Sequence, residues 1–371
     1  MVLRVGIDGR SLRFPLTGVG RYTWELTLRL AAMEGLEVEV FAPRLPRDPR
    51  QIRASEPPAE GQDPSLVDRI VWHAGSLVVP PERRALDVFW GPNHSLPKLS
   101  SRTAGIVTIH DLVWRHAPRT MRRFTRHLDR FRMSAAVRAA DHIVAVSEHT
   151  ARDIGSQFGI ATSRISVISP GITVLPEPGP KALLSDLGIT APFVLCVGTQ
   201  EPRKNHQRLI DAFQQVRDTS DPPPQLVIAG GQGWGPVDLQ QEIGARGWQE
   251  SVRVVGFVDD SLLSTLYAHC RFVAMPSLFE GFGMPLIEAF GHGKPVLAAG
   301  NSSMPEVVGD GGVLVDPLDT SAIADGLRAL LDDQTRVGFA ASASERAALY
   351  NWDHSAAALA RTFARLVEER A

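Results

Sequence analysis

PSLFEGFGMPLIEA, residues 276–289, follows a short apolar run, RFVAM at 271–275, that reads as a strand entering a Pro-Ser turn. Glu280 comes next, then the bend Gly281-Phe282-Gly283. Pro285 marks a helix start, because its fixed φ suits the first helical position. Glu288 then falls in that helix's first turn, and seven residues separate the two carboxylates. A glycine-rich bend leaves backbone amides free, and a helix N-terminus attracts anions. A carboxylate accepts two hydrogen bonds at once and so holds sugar hydroxyls well. Two hydroxyl clamps with a phosphate site between them suit a nucleotide-sugar. The plainer alternative is that Glu288 complements the helix dipole and that Glu280 is a surface loop residue.

The chain of 371 residues admits one large or two medium domains, and its 44% hydrophobic content suffices for real cores. A formal charge of -2 supplies no whole-molecule basic field, so no nucleic-acid partner is implied. Cys196 and Cys270 lie in apolar segments. No disulfide framework is implied, which fits a reducing cytosol. The chain opens directly on a strand, MVLRVGID, with no signal-peptide pattern. No apolar run is long enough to span a bilayer. A cytoplasmic protein is expected, with the inner face of the plasma membrane as a surface on which it can lie.

Outward from the glutamate element, strands alternate with helices. Residues 3–7 read as a buried strand, followed by Asp8-Gly9-Arg10, the turn Thr17-Gly18-Val19-Gly20 and an amphipathic helix over 21–33. Strand, glycine-rich loop and helix bring a phosphate close to backbone, although Gly18 and Gly20 also suit a plain turn. Residues 38–42 form the next strand, 44–64 a loop rich in Pro, Arg and Asp, and 70–72, 88–90 and 105–109 short strands. The last ends in His110-Asp111, at the carboxyl end where open α/β sheets bind ligands. A histidine that only caps the strand is the alternative. Asn93 and His94 follow the preceding strand and are candidates for the same cleft, on the acceptor side with Asp111.

Between 115 and 140 the charge pattern changes. Arg115, Arg119, Arg123, Arg126 and Arg130 recur at helical spacing, with Phe124, Leu128, Phe131 and Met133 interleaved. Such a basic amphipathic helix suits an anionic membrane or an acceptor's phosphate; a solvated face is the alternative. Proline-rich residues 176–180 mark a domain boundary. The expected domains are 1–172 with about 355–371, and 173–354. The second half restarts with a strand at 193–198 and the turn Thr199-Gln200-Glu201-Pro202-Arg203-Lys204-Asn205. Adjacent cations at a strand-to-helix turn neutralise a pyrophosphate; a surface Arg-Lys pair is the alternative. Gly231-Gln232-Gly233 lacks the third glycine of a dinucleotide fingerprint, since Pro236 stands there.

The phrase Glu280-Gly281-Phe282-Gly283, Pro285 and Glu288 resembles the E-x7-E motif of retaining glycosyltransferases of the GT-B fold, in particular family 4. The resemblance covers nearly the whole chain and is strongest from Gly198 to Asp316. The opening IDGR…TGVGRY is similar to that of bacterial mannosyltransferase-type members. It implies an α/β fold of two Rossmann-like doubly wound domains facing an interdomain cleft, with the last helix crossing back to the first domain. Within that family, Glu280 is expected to hold the transferred sugar and Glu288 the ribose. Arg203 and Lys204 are expected on the phosphates, although relatives often carry an arginine where this chain has Thr199. Backbone near Gly18, Gly20 and Gly283 is expected to assist, and the bend at Val258 to lie beside the nucleobase. His110 is expected to face the sugar.

The activity implied is transfer of a hexose, mannose from GDP-mannose above others, to a glycan or lipid-linked acceptor in surface polysaccharide synthesis, with retained configuration. A UDP-sugar donor is the alternative within the fold. An NAD(P)-binding oxidoreductase would need a complete fingerprint, and a periplasmic-type sugar-binding protein a secretion signal. A metal-dependent GT-A enzyme would show Asp-x-Asp, which occurs nowhere in this chain. No cofactor and no metal are therefore expected. Arg119, Arg123, Arg126 and Arg130 remain candidates for a membrane or an acceptor phosphate.

Overall fold

The structure, a computed structural model, describes residues 2–12, 16, 18–42, 48–51, 85–219, 221–235 and 238–370. Thr17, Pro236, the expected strand at 70–72 and most of the expected loop at 44–64 lie outside the described residues. The chain divides into two compact units. The first comprises Met1–Trp114, Arg123–Gly171 and Asn351–Ala371; the second comprises Arg115–Arg122 and Ile172–Tyr350.

The first unit is built on β1 (Leu3–Asp8), β2 (Leu36–Phe41), β3 (Val88–Gly91), β4 (Ala104–Ile109), β5 (His142–Ala145) and β6 (Ile165–Val167). They form one sheet in the order β2-β1-β3-β4-β5-β6, every pairing parallel. β3, β4 and β5 are buried at every position. Strands covered on both faces need near-continuous apolar runs rather than alternation, and these sequences supply them, with the polar exceptions Thr108 and His142 hydrogen-bonded to Trp90 and Ser166. Helix Gly18–Ala32 buries Tyr22, Leu26 and Leu30, one stripe at intervals of four. Helix Trp352–Glu368 belongs to this unit and packs on Gly18–Ala32. Trp352 is buried, with its ring centroid 5.8 Å from that of Tyr22. Ser355 Oγ donates to the Ser169 carbonyl at 2.7 Å. A Cβ on Gly171 would lie 2.3 Å from the Trp352 nitrogen, so only glycine admits this approach.

The second unit carries β7 (Phe193–Val197), β8 (Gln225–Ala229), β9 (Val252–Gly256), β10 (Val273–Met275), β11 (Val296–Ala299) and β12 (Gly312–Val315). Their order is β12-β11-β10-β7-β8-β9, again parallel. Leu209, Phe213, Leu226, Ile228, Phe272, Leu297 and Leu327 fill one core between this sheet and its helices. Residues 115–122 pack here as well: His116 stacks on Phe279 at 5.0 Å, and Arg122 lies over Trp234 at 6.0 Å.

Three expectations are corrected. Gly18 and Gly20 are not a loop but the opening of helix Gly18–Ala32. A Cβ on Gly20 would lie 2.7 Å from the Ser11 carbonyl oxygen, so glycine serves close packing there. The arginines do not share one helix. Arg115 lies in the short helix Val113–His116, Arg119 sits in the 3-10 turn Pro118–Thr120, and of these five only Arg123, Arg126 and Arg130 lie on helix Arg123–Ala139. Proline at 118 pushes Ala117 out of helical geometry, to φ -125 and ψ 51, and Met121 is extended. Glu288 is the fifth residue of helix Met284–Gly291, past the first turn. The dipole role considered for it therefore falls away.

Candidate active site

In an open parallel sheet, ligands sit outside the carboxyl ends of the strands where the strand order reverses. In the second unit that point lies between β7 and β10, the first strand and the fourth. Each ends in a loop that carries a candidate residue. β7 runs into Gly198, at φ +149, where a Cβ would lie 3.0 Å from Lys204 Cε. The chain then makes the 3-10 turn Pro202–Lys204 and a left-handed Asn205 before helix His206–Val216. β10 runs into Pro276 and reaches Glu280.

The two loops meet through charge. Lys204 Nζ lies 2.7 Å from Glu280 Oε1, and Arg203 Nη1 lies 2.5 Å from Oε2. Arg203 also donates to the Phe279 carbonyl at 2.9 Å and to Glu201 Oε1 at 2.6 Å. Glu280 is only 7% exposed. Burial alone would raise its pKa, but the neighbouring Arg203 and then Lys204 outweigh it and bring the carboxyl down to about 2. An ammonium has three donors and a guanidinium five. Lys204 therefore holds Glu280 with one of its three donors, while Arg203 is shared among Glu280, Glu201 and the Phe279 carbonyl.

Neutral hydrogen bonds fix this geometry. Asn205 Nδ2 donates to the Pro276 carbonyl at 2.9 Å and to the Pro317 carbonyl at 2.7 Å, pinning the loops after β10 and β12 to the turn after β7. Leu278 N donates to the Arg203 carbonyl at 2.8 Å. Asn301 Nδ2 donates to the Leu278 carbonyl at 3.0 Å, and Ser303 Oγ reaches the carbonyls of Glu280 and Phe282 at 3.0 and 3.1 Å. Gly283 precedes the helix at φ +99, a conformation that favours glycine. The Phe282 ring is buried edge-on against Tyr350 at 5.5 Å, so this residue offers backbone rather than side chain. Gly281 lies between these braced residues, and Val258 sits half-buried in the bend between β9 and helix Asp260–His269.

Glu288 is buried, and Tyr267 Oη donates to its Oε2 at 2.7 Å. The His292 ring stacks on Tyr267 at 5.3 Å. Sequence reasoning did not find Tyr267, Asn301 or Ser303, because each acts across more than twenty residues of chain.

In the first unit the strand order reverses between β1 and β3. Asp8 ends β1 and is held by Arg10, whose Nε lies 2.8 Å from both carboxylate oxygens, while Arg10 Nη2 lies 2.5 Å from Ser95 Oγ. After β3 come Asn93, half-buried, and His94, at φ +50. After β4 comes His110, whose Nε2 is 2.7 Å from the Pro92 carbonyl. A carbonyl only accepts, so His110 carries its proton on Nε2. Burial depresses its pKa to about 4, which makes the ring neutral at pH 7. Asp111 accepts from Val113 N at 3.1 Å. The His94 and His110 rings lie edge-on at 5.3 Å.

A family model described as Glycosyl transferases group 1 matches residues 186–349, and one described as Glycosyltransferase Family 4 matches residues 16–174. WaaG, a glycosyltransferase involved in lipopolysaccharide biosynthesis, superposes at TM-score 0.71 with 18% identity, over 97% of this chain and 99% of that one. The Anabaena Alr3699/HepE structure, in complex with UDP and glucose, gives TM-score 0.69 with 22% identity, over 98% and 100%. Fold and site together define a glycosyltransferase of the GT-B class. In sequence, the chain is 30% identical over 370 residues to the O-antigen chain mannosyltransferase B of Escherichia coli, covering 92% of this chain and 94% of that protein. The chain belongs to glycosyltransferase family 4. The dinucleotide-dependent oxidoreductase alternative is not favoured.

Proposed function

We propose that this glycosyltransferase moves mannose from GDP-mannose to a glycan or lipid-linked saccharide, with retention and without a metal, in bacterial surface polysaccharide synthesis. The observation that carries the donor site is the Glu280–Arg203–Lys204 cluster at the strand-order reversal of the second unit. Lys204 and Arg203 take the diphosphate as negative charge develops on the leaving group, with amides near Gly283 assisting. Glu280 holds hydroxyls of the transferred sugar, Glu288 the ribose, and the bend at Val258 the base. His110, neutral and fixed in one tautomer, orients the sugar. The mannose assignment is supported by the similarity to the Escherichia coli mannosyltransferase over nearly its whole length. Incubation with a panel of nucleotide-sugars in excess chelator is the test. GDP-mannose is expected to turn over at full rate, with the product anomer retained by NMR. Activity that vanishes in chelator and returns with manganese, or appears only with a UDP-sugar, overturns the assignment.

The acceptor side of this reading includes a membrane surface. No helix among the described residues is long and apolar enough to cross a bilayer. Helix Arg123–Ala139 instead presents Phe124, 79% exposed, and Phe131, 73% exposed, beside Arg123, Arg130 and Arg138. Phenylalanines seven residues apart share a helix face, and arginines beside them reach anionic headgroups. Each basic residue there contributes about 1 kcal/mol, and salt weakens it. Sedimentation with anionic vesicles at low salt is expected to pellet the protein. Pelleting should fall at least tenfold when Arg123, Phe124, Arg130 and Phe131 all become serine. Equal pelleting of the two proteins removes this face from the proposal.

A further inference from the structure

Glu288 lies on helix Met284–Gly291 and is only 6% exposed. A carboxylate taken out of water is costly unless donors reach it. One donor comes from a different helix: Tyr267 Oη donates to Glu288 Oε2 at 2.7 Å, from 21 residues away in the chain. An ionised carboxylate only accepts, so the phenol is the donor of this pair. Tyr267 is fully buried, and a phenylalanine would fill the same space. The hydroxyl therefore adds what packing alone does not need, a fixed direction for the lone pairs of the carboxylate.

Tyr267 is itself rigidly mounted. Its helix, Asp260–His269, opens directly after the bend at Val258 and is capped by Asp259, whose side chain accepts from Leu262 N at 2.8 Å. Further along, Thr265 Oγ1 accepts from Gly179 N at 2.8 Å. At the far end, Cys270 N donates to the Leu266 carbonyl at 3.0 Å, and Arg271 N donates to the Phe193 carbonyl of β7 at 2.8 Å. His292, just past the helix of Glu288, stacks on the Tyr267 ring at 5.3 Å with the planes 18° apart, which holds the plane of the phenol. A group already held in its binding orientation needs no ordering when the ligand arrives. We propose that Tyr267 is a positioning residue for the donor: by holding Glu288 in one orientation, it sets the preference of the site for a ribose with both hydroxyls over its deoxy forms. This rests on the reading that Glu288 holds the donor's ribose. Tyr267 acts through Glu288 rather than on the substrate. The helix Asp260–His269 then serves the nucleoside twice, with the base bend before its start and the brace of Glu288 near its end.

The test is calorimetry on the full chain, with GDP and UDP both offered and the tighter one compared with its 2′,3′-dideoxy form. Wild type is expected to prefer the ribonucleotide by about tenfold or more, the scale of hydrogen bonds to a charged group. Tyr267→Phe should cut that preference to about threefold or less, while affinity for the dideoxy nucleotide stays within about twofold. Retained dideoxy binding also shows that the variant is folded. Glu288→Ala should abolish the preference, and adding Tyr267→Phe to Glu288→Ala should change it no further. Equal weakening of both nucleotides in Tyr267→Phe makes the tyrosine a packing residue and overturns the proposal, as does an unchanged preference. The two readings fail separately. If Glu288→Ala keeps the wild-type preference, the ribose role of Glu288 is refuted, and the proposal goes with it. If Glu288→Ala loses the preference and Tyr267→Phe keeps it, only the role of Tyr267 is refuted. Binding of neither nucleotide refutes the nucleotide-sugar reading as a whole.

Discussion

Lys204→Ala is expected to lower kcat/KM for the nucleotide-sugar about 10²–10³-fold, as removal of a charge-stabilising donor does in other enzymes. The Lys204 side chain runs past Gly198 at the end of β7, where a Cβ would lie 3.0 Å from its Cε. Its ammonium is only partly used by Glu280. In the donor complex the remaining donors face the diphosphate, where a charge-assisted hydrogen bond contributes about 1.5–3 kcal/mol. Calorimetry should therefore show GDP binding weakened by about that amount, while guanosine binding changes little because it lacks the phosphates. Guanosine affinity that falls in step with GDP would mean that the lysine holds the fold rather than the phosphate.

Glu280→Gln is expected to behave in the opposite way toward the nucleotide. The carboxylate shared by Arg203 and Lys204 is gone, so each cation loses one anionic partner, and GDP affinity should stay level or rise. Turnover should still fall on the order of 100-fold, because the sugar contact matters most as charge develops. Stability should also fall. Removing one partner of a buried ion pair costs about 3 kcal/mol, on the order of 6–12 °C for a unit of this size. The sign with pH follows from the carboxyl's depressed value. Its ordinary pKa is 4.5 and its folded pKa about 2. The stability it contributes is complete above about pH 4.5 and is lost as pH falls toward 2. The gap in melting temperature between wild type and variant should thus close over that window. A gap that persists at the acid end, or a GDP affinity that drops sharply, contradicts the ion-pair account.

Much of this was legible in the chain because burial and turn chemistry leave local marks. β3 and β7 announce themselves as apolar runs, β4 and β5 as apolar runs with one polar residue each, Thr108 and His142, and Gly281, Gly283 and Pro285 mark the bend and the helix start. Long-range contacts leave no such mark. Nothing near Glu288 in sequence points to Tyr267, and nothing near Glu280 points to Asn301 or Ser303. The arginine run misled for a local reason. Spacing alone aligns Arg115 through Arg130, but Pro118 breaks the helix between them. Gly18 and Gly20 misled differently: glycine next to an N-terminus reads as a loop, whereas here the lack of a Cβ lets helix Gly18–Ala32 rest on the Ser11 backbone.

The helix Trp352–Glu368 has a consequence for how the protein is made. Trp352 and Phe363 fill the core of a unit whose other parts are translated before residue 172. At about 5–20 residues per second, the ribosome takes on the order of ten to forty seconds to deliver that helix after the first unit's strands have emerged. During that time the second unit, whose strands all lie between Ile172 and Tyr350, is completed and can mature first. The nascent first unit waits with Tyr22 lacking Trp352, an apolar seam open to chaperones and proteases. Expression of this transferase is therefore more sensitive to changes in its last helix than a surface position near the end of a chain would suggest.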